Sequence, residues 1–171
     1  MNNIIQLKNP RTELYNEFKN IIRGDTFLWN YYPRTDSKST PSQLSHSFIK
    51  RPAEIKYPLV MSDGIKYAYD VCEEILNYNN ITVQCYYRIN LNMILPQEGN
   101  QQTPIHVDHE FPHNNLLIYF TSHQEGKGGQ VIVNDEHFYP QEDDVITFDG
   151  IPHSLMLPRD SERIALVATY I

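Results

Sequence analysis

The sequence offers little with which to bind a soft metal, cross a bilayer or grip a phosphate backbone. Its 171 residues include two cysteines, Cys72 and Cys85, without CxxC spacing. A zinc-thiolate site and a disulfide framework are therefore not expected, and two thiols, one in a helix and one in a strand, are. There is no run of 18 apolar residues, and the opening Met-Asn-Asn-Ile-Ile-Gln lacks the charged-then-apolar layout of a secretory leader. A soluble, cytoplasmic protein with no membrane partner is the expectation. Positive charge is scarce in the last part of the chain: residues 101–171 carry 3 Lys and Arg against 11 Asp and Glu, whereas residues 1–100 carry 11 against 10. An acidic half is a poor phosphate binder, which disfavours nucleic acid and leaves Lys50, Arg51 and Lys56 as a local basic surface. No internal repeat is present, and the length suits a single domain over residues 1–171.

Residues 1–80 read as helices, a strand and a loop. Asn9-Pro10 has the form of an N-cap and first helical residue, with Leu14, Phe18, Ile21 and Ile22 on one face and Gly24 as the stop. Phe27–Tyr32 reads as an edge strand ended by Pro33, with Trp29 as a packing residue. From Pro33 to Ser47 periodicity is lost, which predicts a loop and a candidate lid or specificity element within residues 33–60. Ile65, Ala68, Val71, Cys72, Ile75 and Leu76 then fit a second amphipathic helix capped by Ser62, with Glu73 and Glu74 on a solvated face. Residues 81–171 change character. Eight short β-rich runs follow, over 82–95, 103–108, 115–121, 130–134, 136–139, 144–148, 153–157 and 163–171, and predict a closed or two-sheet β architecture with the helices packed outside one sheet. Gly126 to Gly129 reads as a hairpin turn and Glu142-Asp143-Asp144 as a solvated turn rather than a calcium loop.

One stretch asks for a chemistry. In Thr103-Pro-Ile-His-Val-Asp-His109 the His106-x-Asp108 spacing, on an extended strand, turns an imidazole and a carboxylate to the same side. Such a pair supplies two ligands of a 2-His-1-carboxylate iron site, and His153, in Gly150-Ile-Pro-His-Ser154, is the natural third. Three protein ligands leave positions on Fe(II) open. His109 falls on the opposite face, His113 caps a turn or touches substrate, and His46, His123 and His137 read as surface residues.

His106-x-Asp108, the later His153 and Arg163 ten residues beyond it resemble, in order and spacing, the 2-oxoglutarate/Fe(II)-dependent dioxygenases. Over residues 86–171 the chain is most similar to small phage and bacterial members related to prolyl 4-hydroxylases and phytanoyl-CoA hydroxylases. Tyr-Arg-Ile-Asn-Leu-Asn92, His-Val-Asp-His-Glu-Phe-Pro-His113, Leu-Leu-Ile-Tyr119, Gly128-Gly129 and Phe148-Asp-Gly-Ile-Pro-His153 stand where those proteins have their counterparts. The resemblance implies a mainly β double-stranded β-helix, a cupin-like jelly roll, preceded by helices. It implies Fe(II) on His106, Asp108 and His153, and 2-oxoglutarate with its far carboxylate on Arg163. Asn92 and Tyr119 are implied as further cosubstrate contacts, and the reaction as hydroxylation by O2 of a peptide, protein or small molecule, with release of succinate and CO2. Asp108 speaks against the halogenases of that family, and Ala165 stands where some members place a Ser. Two other readings are a cupin-like metal-binding protein and a jelly-roll structural module without oxygenase activity; Arg163 weighs against the first.

Overall fold

The computed structural model describes residues 3–33, 41–50 and 58–171. Its elements in chain order are β1 (Ile5–Leu7), α1 (Glu13–Arg23), β2 (Asn30–Tyr32), β3 (Gln43–Lys50), β4 (Leu59–Val60), α2 (Ile65–Tyr78), β5 (Tyr86–Ile94), β6 (Asn114–Tyr119), β7 (Val131–Val133), β8 (Glu136–Phe138), β9 (Val145–Asp149), β10 (His153–Leu155) and β11 (Arg163–Tyr170). Every strand pairing is antiparallel. The larger sheet runs β1-β9-β6-β11-β5-β3-β2, with β4 also on β3, and the smaller runs β10-β7-β8.

β11 shows why the sequence folds this way. It lies between β5 and β6 and is buried on both faces, one wholly apolar and the other carrying Ala165 and Val167 between Arg163 and Thr169. Ile164, Leu166, Ala168 and Tyr170 point to one side, into a core shared with Tyr15, Phe18 and Ile22 of α1 and Ala68, Val71, Cys72, Ile75 and Leu76 of α2. Ala165 points to the other, where Leu117, Tyr119, Ile146 and Phe148 meet Val131 and Val133 of the smaller sheet. Two-residue alternation thus divides each central strand between a helix-covered face and a face that lines the space between sheets. The same parity turns Arg88, Asn90 and Asn92 of β5 the way Arg163 points, because Arg163, Ala165, Val167 and Thr169 pair with Ile94, Asn92, Asn90 and Arg88.

Several expectations need correction. α1 starts at Thr12, whose hydroxyl accepts from Tyr15 N, and not at Asn9. Asn9 is engaged in a turn, its Oδ1 accepting from Arg11 N and its Nδ2 donating to Asp143 O. The buried face of the helix is correspondingly Tyr15, Phe18 and Ile22, with Ile21 41% exposed. α2 buries five of the six expected residues, Ile65 being only partly buried, and Ser62 caps nothing: its hydroxyl accepts from Gly64 N and hydrogen-bonds His46 Nε2. Glu73 and Glu74 accept from the hydroxyls of Tyr86 and Thr12 and so tie α2 to β5 and α1 instead of facing solvent. Residues 43–47, expected in a loop, begin β3. Their polar pattern hid a strand because Ser45 and Ser47 face the polar side chains of Asn92 and Asn90 rather than an apolar core. Residues 34–40 and 51–57, which include half of the stretch 33–60 expected to hold a lid as well as Arg51 and Lys56, lie outside the described residues. Gly126–Gly129 joins β6 of one sheet to β7 of the other and so makes no hairpin. Cys72 and Cys85 are free thiols, Cys85 falling just before β5. Among the described residues no helix is long and apolar enough to cross a membrane.

The acidic run at residues 142–144 is an anchor rather than a solvated turn. Asp143 accepts from Tyr15 Oη at 2.7 Å and from Lys19 Nζ at 2.5 Å, and Arg11 stands 3.4 Å away. Glu142 pairs with Lys19 and Arg23. Burial would raise the Asp143 carboxyl, but hydrogen bonds from Lys19 and Tyr15 and the charges of Lys19 and Arg11 outweigh it and hold its pKa below the usual value. A depressed carboxyl stabilises the fold fully above its unfolded pKa of about 3.9, and that contribution is lost as pH falls through the folded value. Asp143→Asn is therefore expected to lower the melting temperature at pH 7 and to flatten its decline between about pH 5 and pH 2. Thermal melts of both proteins across that range check this; parallel acid limbs would show that the pair does not anchor α1.

Candidate metal centre and cosubstrate pocket

His106, Asp108 and His153 come together, with one prospective ligand atom from each lying within 4.8 Å of the others. The segment that carries the first two is not the strand the sequence suggested. It forms no continuous ladder with the chain around β10, but pairs with it through isolated bridges, Gln102 to Met156 and His106 to His153, and through hydrogen bonds between Thr103 and Leu155. Pro104 lacks the N–H that a continuous ladder would need there. The bridge suffices to place the ligands. His106 N donates to His153 O and His153 N to His106 O, both at 3.0 Å, so the two imidazoles leave the backbone on the same side with ring centroids 4.4 Å apart.

Both rings are oriented in the same manner. Nδ1 of His106 hydrogen-bonds Pro104 O at 3.0 Å, and Nδ1 of His153 hydrogen-bonds Ile151 O at 2.9 Å. A carbonyl can only accept, so each Nδ1 carries the proton and each Nε2 keeps its lone pair for a metal. Burial holds the His153 imidazolium pKa below its ordinary value, with the His106 and Arg88 charges acting the same way against Ile151 O and Asp108; the neutral form is the one that ligates. Asp108 directs Oδ2 toward His153 Nε2, 3.6 Å away, while Oδ1 accepts from Arg88 Nη1 at 3.1 Å. Two imidazoles and one carboxylate, with no thiolate, suit Fe(II) and leave coordination positions open.

These groups border a cavity of about 500 Å3 that reaches Arg163. Arg163 is 4% exposed, its Nε donates to Gly129 O at 3.0 Å, and its guanidinium lies 5.1 Å from the Tyr119 ring centroid. Among the described residues no carboxylate pairs with it. Asn92 also borders the cavity; its Oδ1 accepts from Ser45 Oγ and Asn90 Nδ2, so the amide nitrogen is the group it offers. Tyr119 lies beneath Arg163 instead of on the lining, its buried hydroxyl without a hydrogen-bond partner among the described residues. Burial pushes its pKa up to about 12, against the lowering effect of Arg163.

Sequence reasoning missed other groups here. Arg88 carries no signal of its own in the sequence, and its bond to Asp108 crosses 20 residues. Asn115 borders the cavity fully buried, with Oδ1 unpartnered among the described residues; nothing in an Asn-Asn pair at a strand start marks it. His123, read as a surface residue, is 3% exposed and packs on Gly129, where a Cβ would come within 2.3 Å of its Cγ. His46 packs between Phe27 and Phe48. His113 is buried under Gly150 and does not touch the cavity, while His109 hydrogen-bonds Thr169 Oγ1 away from the ligands.

No family model matches the sequence, and no curated protein is similar to it. Solved structures are. A 2OG-Fe(II) oxygenase family oxidoreductase from Burkholderia pseudomallei superposes with a TM-score of 0.67 at 15% identity, over 98% of this chain and 84% of the other. The viral collagen prolyl hydroxylase of Paramecium Bursaria Chlorella virus-1, in its 2OG complex, gives 0.61 at 14% over 99% and 96%. A Trichoplax adhaerens prolyl hydroxylase, in complex with a hypoxia inducible factor peptide fragment, gives 0.58 at 15% over 100% and 84%. The family resemblance read from the motifs is thus met by the architecture: the chain has the fold of the 2-oxoglutarate/Fe(II) oxygenases, prolyl hydroxylases among them.

Proposed function

We propose that this protein is a 2-oxoglutarate- and Fe(II)-dependent dioxygenase that hydroxylates a peptide, protein or small-molecule substrate, with a double-stranded β-helix over residues 81–171 as the core of a single domain. The observation that carries the reading is Arg163. A guanidinium 4% exposed, without a carboxylate partner among the described residues, in the same cavity as a His-Asp-His cluster, calls for an anionic ligand that spans the two. A five-carbon oxodiacid meets that demand, with the keto acid end at the metal and the far carboxylate on Arg163.

Bound Fe(II) would supply the activation of O2, with 2-oxoglutarate oxidised to succinate and CO2 and the second oxygen atom inserted into a substrate C–H bond. The residues do the rest. His106, Asp108 and His153 would hold the ion, three protein ligands leaving further positions for cosubstrate and oxygen. Arg88 secures the Asp108 carboxylate, Asn92 offers an amide donor to the oxoacid, and Leu117, Val131, Phe148 and Val167 exclude water from the space between. Two free thiols fit a reducing compartment, and the cytoplasm is the place we assign. Anaerobic titration of the Fe(II)-loaded protein with 2-oxoglutarate tests this. A weak visible charge-transfer band saturating at one equivalent is expected; iron binding without the band would favour a cupin-like metalloprotein.

A further inference from the structure

The wall behind Arg163 contains a buried histidine that the proposed reaction leaves unused. His123 is 3% exposed, its main-chain N donates to Pro140 O, and its ring lies flat against Gly129. Gly129 has φ +84 and no room for a Cβ, so ring and backbone touch directly. The carbonyl of the same residue accepts from Arg163 Nε. On its other side, His123 Nε2 hydrogen-bonds Thr121 Oγ1 at 3.3 Å, and that hydroxyl accepts from Ile164 N, the amide next to Arg163. The imidazole therefore packs on the residue whose carbonyl holds the guanidinium and bonds the hydroxyl that holds the main chain beside Arg163.

We propose that His123 is a positioning residue for Arg163, setting through Gly129 and Thr121 where the guanidinium stands and thereby how strongly the pocket selects a ligand with a distal carboxylate. The inference rests on the reading of Arg163 as the cosubstrate cation. A neutral polar ring is what the position requires. An acid there would pair with the guanidinium and quench it, a cation would repel it, and an aliphatic side chain would release Thr121. The ring is kept neutral by its surroundings, burial and the Arg163 charge bringing its pKa down to about 4.

The test compares 2-oxoglutarate with 2-oxobutanoate, which keeps the chelating keto acid but lacks the distal carboxylate. Both are titrated anaerobically into Fe(II)-loaded wild type, His123→Leu and Thr121→Val. Wild type should bind 2-oxoglutarate far more tightly. In each variant that preference should shrink about tenfold, with 2-oxobutanoate affinity and iron content unchanged, because only the guanidinium has moved. A purely structural role would lower the melting temperature and leave the preference intact, which would overturn the inference. Thr121→Val, nearly isosteric, decides the matter if His123→Leu does not fold. No preference in wild type would instead overturn the reading of Arg163, and the inference with it.

Discussion

Arg163→Met is expected to raise the dissociation constant for 2-oxoglutarate by about 10- to 100-fold, the effect of losing ~1.5–3 kcal/mol of charge-assisted hydrogen bonding to a carboxylate. Iron binding should stay within about twofold, since Arg163 is not one of the prospective ligands and makes no hydrogen bond or ion pair to them among the described residues. The same variant has a second, opposite signature. Without ligand, Arg163 is a buried cation whose Nε donates to Gly129 O, with Tyr119 beside it, and burial pulls its pKa below the ordinary value against the effect of Tyr119. An apolar side chain of similar length removes that desolvation cost, so the ligand-free protein should melt at the same temperature or higher. Addition of Fe(II) and 2-oxoglutarate should stabilise wild type, because ligand binds only the folded state, and should do much less for the variant. Equal cosubstrate affinity in the two proteins would place the cation elsewhere.

Asp108→Ala should reduce iron affinity by at least ~100-fold, since even partners of a ligand typically contribute 10- to 100-fold. The fold should survive. Asp108 belongs to neither apolar core, and the backbone bridge between His106 and His153 does not involve its side chain. Arg88 would lose this partner but keeps a side chain 23% exposed to water, which limits the cost. Iron content after dialysis, together with the metal-free melting curve, decides it. Iron retained at the wild-type level would sink the ligand assignment, and a lost melting transition would make Asp108 a structural residue instead.

These predictions rest on residues of differing legibility. That His106, Asp108, His153 and Arg163 meet at one cavity is foreshadowed by the His-x-Asp spacing, by the later His153 and, for Arg163, by the family resemblance. The local geometry was read less well. The His-x-Asp spacing predicts a strand, whereas the structure forms only isolated bridges around Pro104, and same-side placement of the imidazoles comes from one backbone exchange between His106 and His153. Tyr119 shares its parity with Leu117, but parity gives a face and not a depth, and Tyr119 ended under Arg163 while Leu117 borders the cavity.

Apolar periodicity is a record of burial, so the sequence by itself determined what is buried against apolar neighbours: α2 with its five buried residues, the alternation of β11, and the succession of short strands after residue 81. Polar residues that are buried against each other carry no such record. Ser45 and Ser47 on β3, the Glu142–Asp143 anchor beneath α1, Arg88 against Asp108, and His123 against Gly129 all read as solvent-facing or silent in the linear chain. Only the tertiary structure decided them, because their partners lie from 6 to 132 residues away and hydrogen bonds and ion pairs, unlike the hydrophobic effect, depend on which particular groups meet.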